Sequence, residues 1–134
     1  MALKWWSVVV DCRDLHAQAR WWAETLSWHV LLDDEHEAVV VPKHVSEVPT
    51  SEEEWRRLSP ALVFVQVAEG KTVKNRLHLD LAPFASDDRQ ALVEELVLRG
   101  ASAVNVGQDD AAVTWTVLAD PEGNEFCVLT MRDN

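Results

Sequence analysis

One ordered series of apolar and polar residues runs through this chain twice, and that internal repeat constrains the fold more than any single motif does. In the first run, residues 5–12 are short, β-branched and aromatic, which predicts a strand. Asp14 follows as an N-cap, and a helix is expected over 15–27. Leu15, Ala19, Trp22 and Leu26 share one of its faces at helical spacing, whereas Arg13, Gln18 and Glu24 point elsewhere. Residues 28–32 and 38–41 read as two strands joined by an acidic turn at 33–36, and Pro42 ends the second. The rhythm breaks over 43–60. There Ser51 and Glu54 match a capping box ahead of a short acidic helix over 52–58, either a pocket lid or a plain surface excursion. A buried strand over 62–67 completes the run.

The second run has the same order. Residues 76–81 alternate strictly, as a half-buried strand should. Residues 86–88 cap a helix that extends to residue 99, with Leu92, Val93, Leu96 and Val97 as its apolar stripe and Gly100 at the left-handed C-cap position. Strands are expected at 102–106 and 113–118, split by a polar turn at 107–110. Asp120, Pro121 and Gly123 occupy the positions that a type I turn favours for them, and 125–131 forms the last strand. Strand, helix, strand, strand, strand therefore occurs twice, in modules at 3–67 and 75–131. The expected fold is one α+β domain over 1–134, a curved mixed sheet of two βαβββ modules with helices on the convex side and an open concave face.

The bulk numbers fit one such domain and remove some partners. A chain of 134 residues, 48% of them apolar, can bury one proper core. A formal net charge of -11 disfavours nucleic acid and anionic membrane surfaces, although Lys71, Lys74 and Arg76 cluster locally. Two cysteines, Cys12 and Cys127, do not make a disulfide scaffold. With no charged-then-apolar leader and no membrane-length apolar run, the chain reads as cytoplasmic. Seven Trp and no Tyr supply large flat apolar faces, for lining a ligand pocket or for filling a core or dimer interface.

Three segments carry a family resemblance: 74–81, containing Leu77-His78-Leu79-Asp80-Leu81; the helix end Leu98-Arg99-Gly100-Ala101; and Asp120-Pro121-Glu122-Gly123-Asn124-Glu125-Phe126-Cys127. Together with the first helix from Asp14 to Leu26, they resemble the glyoxalase-like branch of the vicinal oxygen chelate superfamily. That superfamily also holds bleomycin-resistance proteins, fosfomycin-resistance enzymes and extradiol dioxygenases. The resemblance covers nearly the whole chain. It implies a small organic ligand in the concave pocket, and often a homodimer, which exposed Trp or apolar strand edges would suit. Fold alone does not fix function.

Metal-binding members of the superfamily place ligands on the first and last strands of each half, and the resemblance carries those positions onto Ser7, Gln66, His78 and Cys127. Divalent ions need several strong donors converging at once. Here only His78 is a standard ligand; Gln66 is neutral and weaker, Ser7 is poor, and Cys127 replaces a carboxylate. A thiolate joining His78 on zinc, with Glu125 third, is conceivable, but a divalent metal is disfavoured and no cofactor is expected. His78, flanked on its strand face by Arg76 and Asp80, is either a general acid-base group or a histidine bonded to backbone or water. Glu125 is a second acid-base candidate, or pairs with a cation such as Arg76. Cys127 reads as a small buried residue more than a nucleophile. His16, His29, His36 and His44 read as surface residues. Two functions follow as expectations. One is metal-independent lyase- or isomerase-type chemistry with His78 and Glu125 catalytic and Ser7, Gln66, Cys127, Trp5 and Trp115 orienting the ligand. The other is non-catalytic sequestration of a small molecule, as in bleomycin-resistance proteins.

Overall fold

Parallel pairing of the first and last strand of each βαβββ run sets the first strand at one edge of each open sheet. The structure, a computed structural model, describes residues 3–46, 48–104 and 115–130. The chain forms two compact units, one running through Gly70 and the other starting at Lys71. In the first, β1 (Ser7–Cys12), β2 (Trp28–Asp33), β3 (Glu37–Pro42) and β4 (Ala61–Gln66) form a sheet ordered β1-β4-β3-β2. In the second, β5 (Leu79–Leu81), β6 (Ser102–Ala103), β7 (Trp115–Ala119) and β8 (Glu125–Leu129) are ordered β5-β8-β7-β6. The two orders are the same permutation, so the repeat read from the sequence is a repeat of topology. In each unit the last strand pairs parallel with the first and antiparallel with the third. The expected strands over 105–106 and 113–114 and the turn over 107–110 lie outside the described residues.

Helix α1 (Leu15–Leu26) begins where Asp14 accepts a hydrogen bond from the Ala17 N–H, 3.1 Å away. It ends at Ser27, which takes the left-handed conformation with φ 54 although it is not glycine. The helix packs on β2, β3 and β4, where Leu15, Ala19 and Trp22 meet the buried face made by Ala38, Val40, Leu62 and Phe64. One expectation fails here: Gln18 is 1% exposed and belongs to the buried face. Its position explains this, because residue 18 lies three after Leu15 and four before Trp22, inside the stripe.

In the second unit, α3 (Arg89–Leu98) starts with Asp88 accepting from the Ala91 N–H at 3.1 Å. It closes as a Schellman motif, with the Gly100 N–H donating to Val97 O (3.1 Å) and the Ala101 N–H to Leu96 O (3.0 Å). Gly100 has φ 116, in line with its expected role. Of the expected stripe only Val93 and Leu96 are buried, while Leu92 and Val97 are exposed. A polar tie supplements this narrow contact: Arg89 donates to Thr116 Oγ1 at 2.5 Å and to Val128 O at 2.9 Å, joining the helix start to β7 and β8.

The excursion over 43–60 folds as α2 (Glu52–Arg57), with no buried residue of its own. Ser51 Oγ accepts from the Glu54 N–H at 3.1 Å, the forward half of the expected capping box. The return half shifts by one residue, since Glu54 Oε2 accepts from the Thr50 N–H (2.9 Å) and hydroxyl (3.1 Å). Lys4 Nζ donates to Leu58 O, 2.5 Å away, and ties the excursion to the chain ahead of β1. The turn between β7 and β8 is built on Asp120, which is buried and whose Oδ1 accepts from the N–H groups of Glu122 (2.9 Å) and Asn124 (3.0 Å). The Gly123 N–H closes the turn onto Asp120 O at 2.9 Å, with Gly123 at φ 92. Among the described residues no helix is long and apolar enough to cross a membrane.

Candidate functional site

Side chains alternate across a strand, so register decides which residues share a face. In the second unit Asp80 pairs with Cys127 across β5 and β8, and Cys127 pairs with Val117 across β7. Their face is the one opposite Phe126, Leu118 and Val128, the side on which α3 is tied. His78 lies just before β5, because the strand expected over 76–81 pairs with β8 only at Leu79–Leu81. At the start of β8 side chains take over from the ladder: Asn75 Nδ2 donates to Glu125 O at 3.3 Å, and the Asn75 N–H donates to Glu125 Oε2 at 3.1 Å.

This arrangement brings three potential donors together. A ring nitrogen of His78, a carboxylate oxygen of Asp80 and the sulfur of Cys127 all lie within 4.8 Å of one another. His78 Nε2 and Asp80 Oδ1 are 3.1 Å apart, and both side chains are about half exposed, at 52% and 50%. Cys127 is buried at 6%. Burial raises its thiol pKa above the ordinary value, and the Asp80 charge and hydrogen bond push the same way. The thiol is therefore held protonated, which agrees with reading Cys127 as a buried residue and not as a nucleophile.

Glu125, two residues from Cys127 on β8, has a different task. Its Oε2 is 2.8 Å from Lys71 Nζ. Burial raises the carboxyl pKa, but the hydrogen bond from Lys71 and the backbone N–H groups of Glu125 and Asn75 outweigh it, leaving a value below the ordinary one. Glu125 is thus held as a carboxylate, and the cation that holds it is Lys71, where the sequence offered Arg76. Lys71 is in turn neutralised, which reduces the basic cluster seen in the sequence.

The other expected site residues belong to the first unit or fall outside the description. Ser7 opens β1 and pairs with Ala61. Gln66 pairs with Cys12, so it shares the sheet face of Leu62 and Phe64, opposite that of Ser7. The resemblance puts Ser7 and Gln66 in one ligand set, and the register separates them. With Ser7 as the counterpart of His78, Val9 corresponds to Asp80, and Val63, which pairs with Val9, corresponds to Cys127. The superfamily's ligand set therefore does not fit: Val63 has no donor and Ser7 is a poor one. Trp5 stands outside β1, 66% exposed, with its indole N–H donating to Ser7 O at 3.2 Å. Trp115 pairs with Leu129 at the start of β7, and its side chain lies outside the described residues.

Asp80 could fix the tautomer of His78 on sequence grounds only if the two side chains met, and at 3.1 Å they do. Its signal was present, because strict alternation put it on His78's face; the missing fact was its β8 partner. Of the histidines read as surface residues, His29 is half-buried, with Nε2 2.7 Å from Val45 O, and His16 is an exposed partner of Asp33, its Nδ1 contacting the carboxylate. A cavity of about 450 Å³ lies between the segment after β3 and α2, lined by His44, Ser46, Ser51, Glu54, Arg57 and others. None of the expected site residues lines it.

The fold agrees with the comparisons to known proteins. The family model described as glyoxalase-like domain matches residues 7–129. The chain belongs to this glyoxalase-like family, within the vicinal oxygen chelate superfamily. No curated protein matches it in sequence. Among solved structures, a fosfomycin resistance protein from Mesorhizobium loti is similar with a TM-score of 0.66 and 11% identity, covering 99% of this chain and 96% of that one. A glyoxalase/bleomycin resistance protein/dioxygenase family enzyme from Burkholderia phytofirmans gives a TM-score of 0.63 at 15% identity, covering 94% and 97%. At such identities the likeness is one of fold.

Proposed function

We propose that the protein binds a small polar organic molecule on the open face of its second unit and acts on it without a metal, by lyase- or isomerase-type proton transfer. The observation that carries this reading is the contact between His78 and Asp80, 3.1 Å apart and half exposed beside the buried Cys127. Asp80 beside Nε2 favours the tautomer with its proton there, leaving the Nδ1 lone pair to take a proton from the ligand. Returning that proton to a neighbouring ligand atom completes an isomerisation with no co-reactant. Glu125, held ionised by Lys71, serves as an anchor for a ligand donor, and as a base before an acid. Trp115, on β7 of the same unit, remains an orienting residue in the proposal, and Ser7, Gln66 and Trp5, which belong to the first unit, are not assigned to this site. Two free cysteines suit a reducing, cytoplasmic setting.

A second reading, sequestration without chemistry, is favoured by one observation. Trp5 and Trp6 are 66% and 52% exposed, and Val9 on β1 is also exposed, an aromatic and apolar surface suited to a flat ligand or to a homodimer. Intrinsic Trp fluorescence against a panel of small metabolites, fosfomycin and bleomycin included, finds a ligand for either reading. With that ligand, His78→Ala should abolish turnover and only weaken affinity. Turnover and affinity both unchanged would remove His78 from the site, and binding without turnover in the native protein selects sequestration.

A further inference from the structure

Proton transfer by His78 gives Asp80 the task of orienting the imidazole, and Asp80 must itself be oriented. It stands half exposed on β5, the edge strand of its sheet, where an aspartate has rotamers that face solvent as well as the sheet. We propose that Cys127 is a positioning residue, whose thiol donates a hydrogen bond to the Asp80 carboxylate and holds that carboxylate against His78. The chemistry that this positioning serves is that of the proposed function, on which the inference rests. The contact itself stands on the register of β5 and β8.

Asp80 and Cys127 are direct partners across the parallel ladder, so their side chains leave the sheet on the same face. A ring nitrogen of His78, a carboxylate oxygen of Asp80 and the sulfur of Cys127 lie within 4.8 Å of one another. The two partners differ in freedom: Cys127 is 6% exposed on β8, between β5 and β7, whereas Asp80 is half exposed. A fixed donor therefore meets a mobile acceptor. Burial keeps the thiol protonated and the Asp80 charge adds to this, so Cys127 presents an S–H and not a second anion. A thiol is a weak donor, but an ionised acceptor makes a hydrogen bond roughly twice as strong. The internal repeat supplies a control. In the first unit Val9 and Val63 pair at the places of Asp80 and Cys127, so the packing of such a module is served by hydrocarbon there. The polar pair belongs to the unit that carries His78.

The S–H stretch of a thiol absorbs in an infrared window clear of other protein bands and moves to lower frequency when the thiol donates. In the full-length protein without ligand, the band lost in Cys127→Val is that of Cys127. The band that stays is that of Cys12, whose sulfur lies 3.7 Å from Val65 O and serves as the internal reference. Asp80→Ala should move the Cys127 band to higher frequency and leave the Cys12 band in place. Cys127→Val should release Asp80, seen in three-bond couplings as averaging between χ1 rotamers. In the same variant the ¹⁵N shifts of the His78 ring should move toward those of an exposed imidazole. Cys127→Ser, which keeps a donor, should restore both signals. A Cys127 band unmoved in Asp80→Ala, a single Asp80 rotamer or unchanged His78 shifts in Cys127→Val, or no recovery in Cys127→Ser overturns the positioning role. Each reading is taken without ligand, so failure of the proposed function, which is read from turnover in His78→Ala, is seen separately.

Discussion

Glu125 is the side chain on which burial and hydrogen bonding oppose each other most directly. Desolvation favours its neutral form, while Lys71 at 2.8 Å and the backbone N–H of Asn75 at 3.1 Å favour the charged one and prevail. A carboxyl with a lowered folded pKa binds fewer protons folded than unfolded, so folding is stabilised where it is ionised. That stabilisation is complete above the ordinary value of 4.5, declines as the pH falls below it, and is lost once the pH passes the folded value. Thermal unfolding of Glu125→Gln should therefore match the loss seen in the native protein at low pH and fall short of it near neutrality. Equal differences at all pH values would show that the ion pair is not the cause. The sequence offered a cation such as Arg76 as the partner and did not single out Lys71. Lys71, 54 residues earlier in the chain, meets Glu125 only through the tertiary fold of the second unit, which no local pattern encodes.

At the scale of the element, helix ends were the most legible feature. Asp14 and Asp88 cap as expected because an N-cap depends on side chain and backbone within three residues, a purely local matter. Asp14→Ala and Asp88→Ala should each cost about 1 kcal/mol in urea unfolding. The end of α1 was less legible, since a serine occupies the left-handed position that glycine usually takes. Ser27→Gly should stabilise the protein by about 0.5–1 kcal/mol, relief of left-handed strain exceeding the extra freedom of the unfolded chain. No gain would mean that surrounding contacts already offset the strain. Strand lengths and helix faces were harder. The alternation over 76–81 is real, but a strand also needs a partner, and β8 supplies one only from residue 126 onward. Leu92 and Val97 fit the apolar period of α3 and yet stay exposed, since period alone does not say how wide a contact the sheet will offer.

For the whole molecule, each unit orders its sheet by the same permutation and places one phenylalanine of its last strand in its core, Phe64 in the first and Phe126 in the second. Phe64→Ala and Phe126→Ala should each cost about 3–5 kcal/mol in urea unfolding, a large part of the stability of a chain this size. A cost below about 1 kcal/mol for either would show that its unit is not built around that side chain. The sequence by itself determined the repeat, the α+β class, the family and the two helix caps, because these rest on periodicity and on contacts a few residues long. Tertiary structure alone decided the site. Which residues meet across β5 and β8 is set by register, and register placed Asp80 beside Cys127, gave Lys71 to Glu125 and turned Gln66 to the face opposite Ser7. A one-residue change in pairing moves every side chain to the other face, so chemistry that depends on faces becomes readable only when the strands are paired.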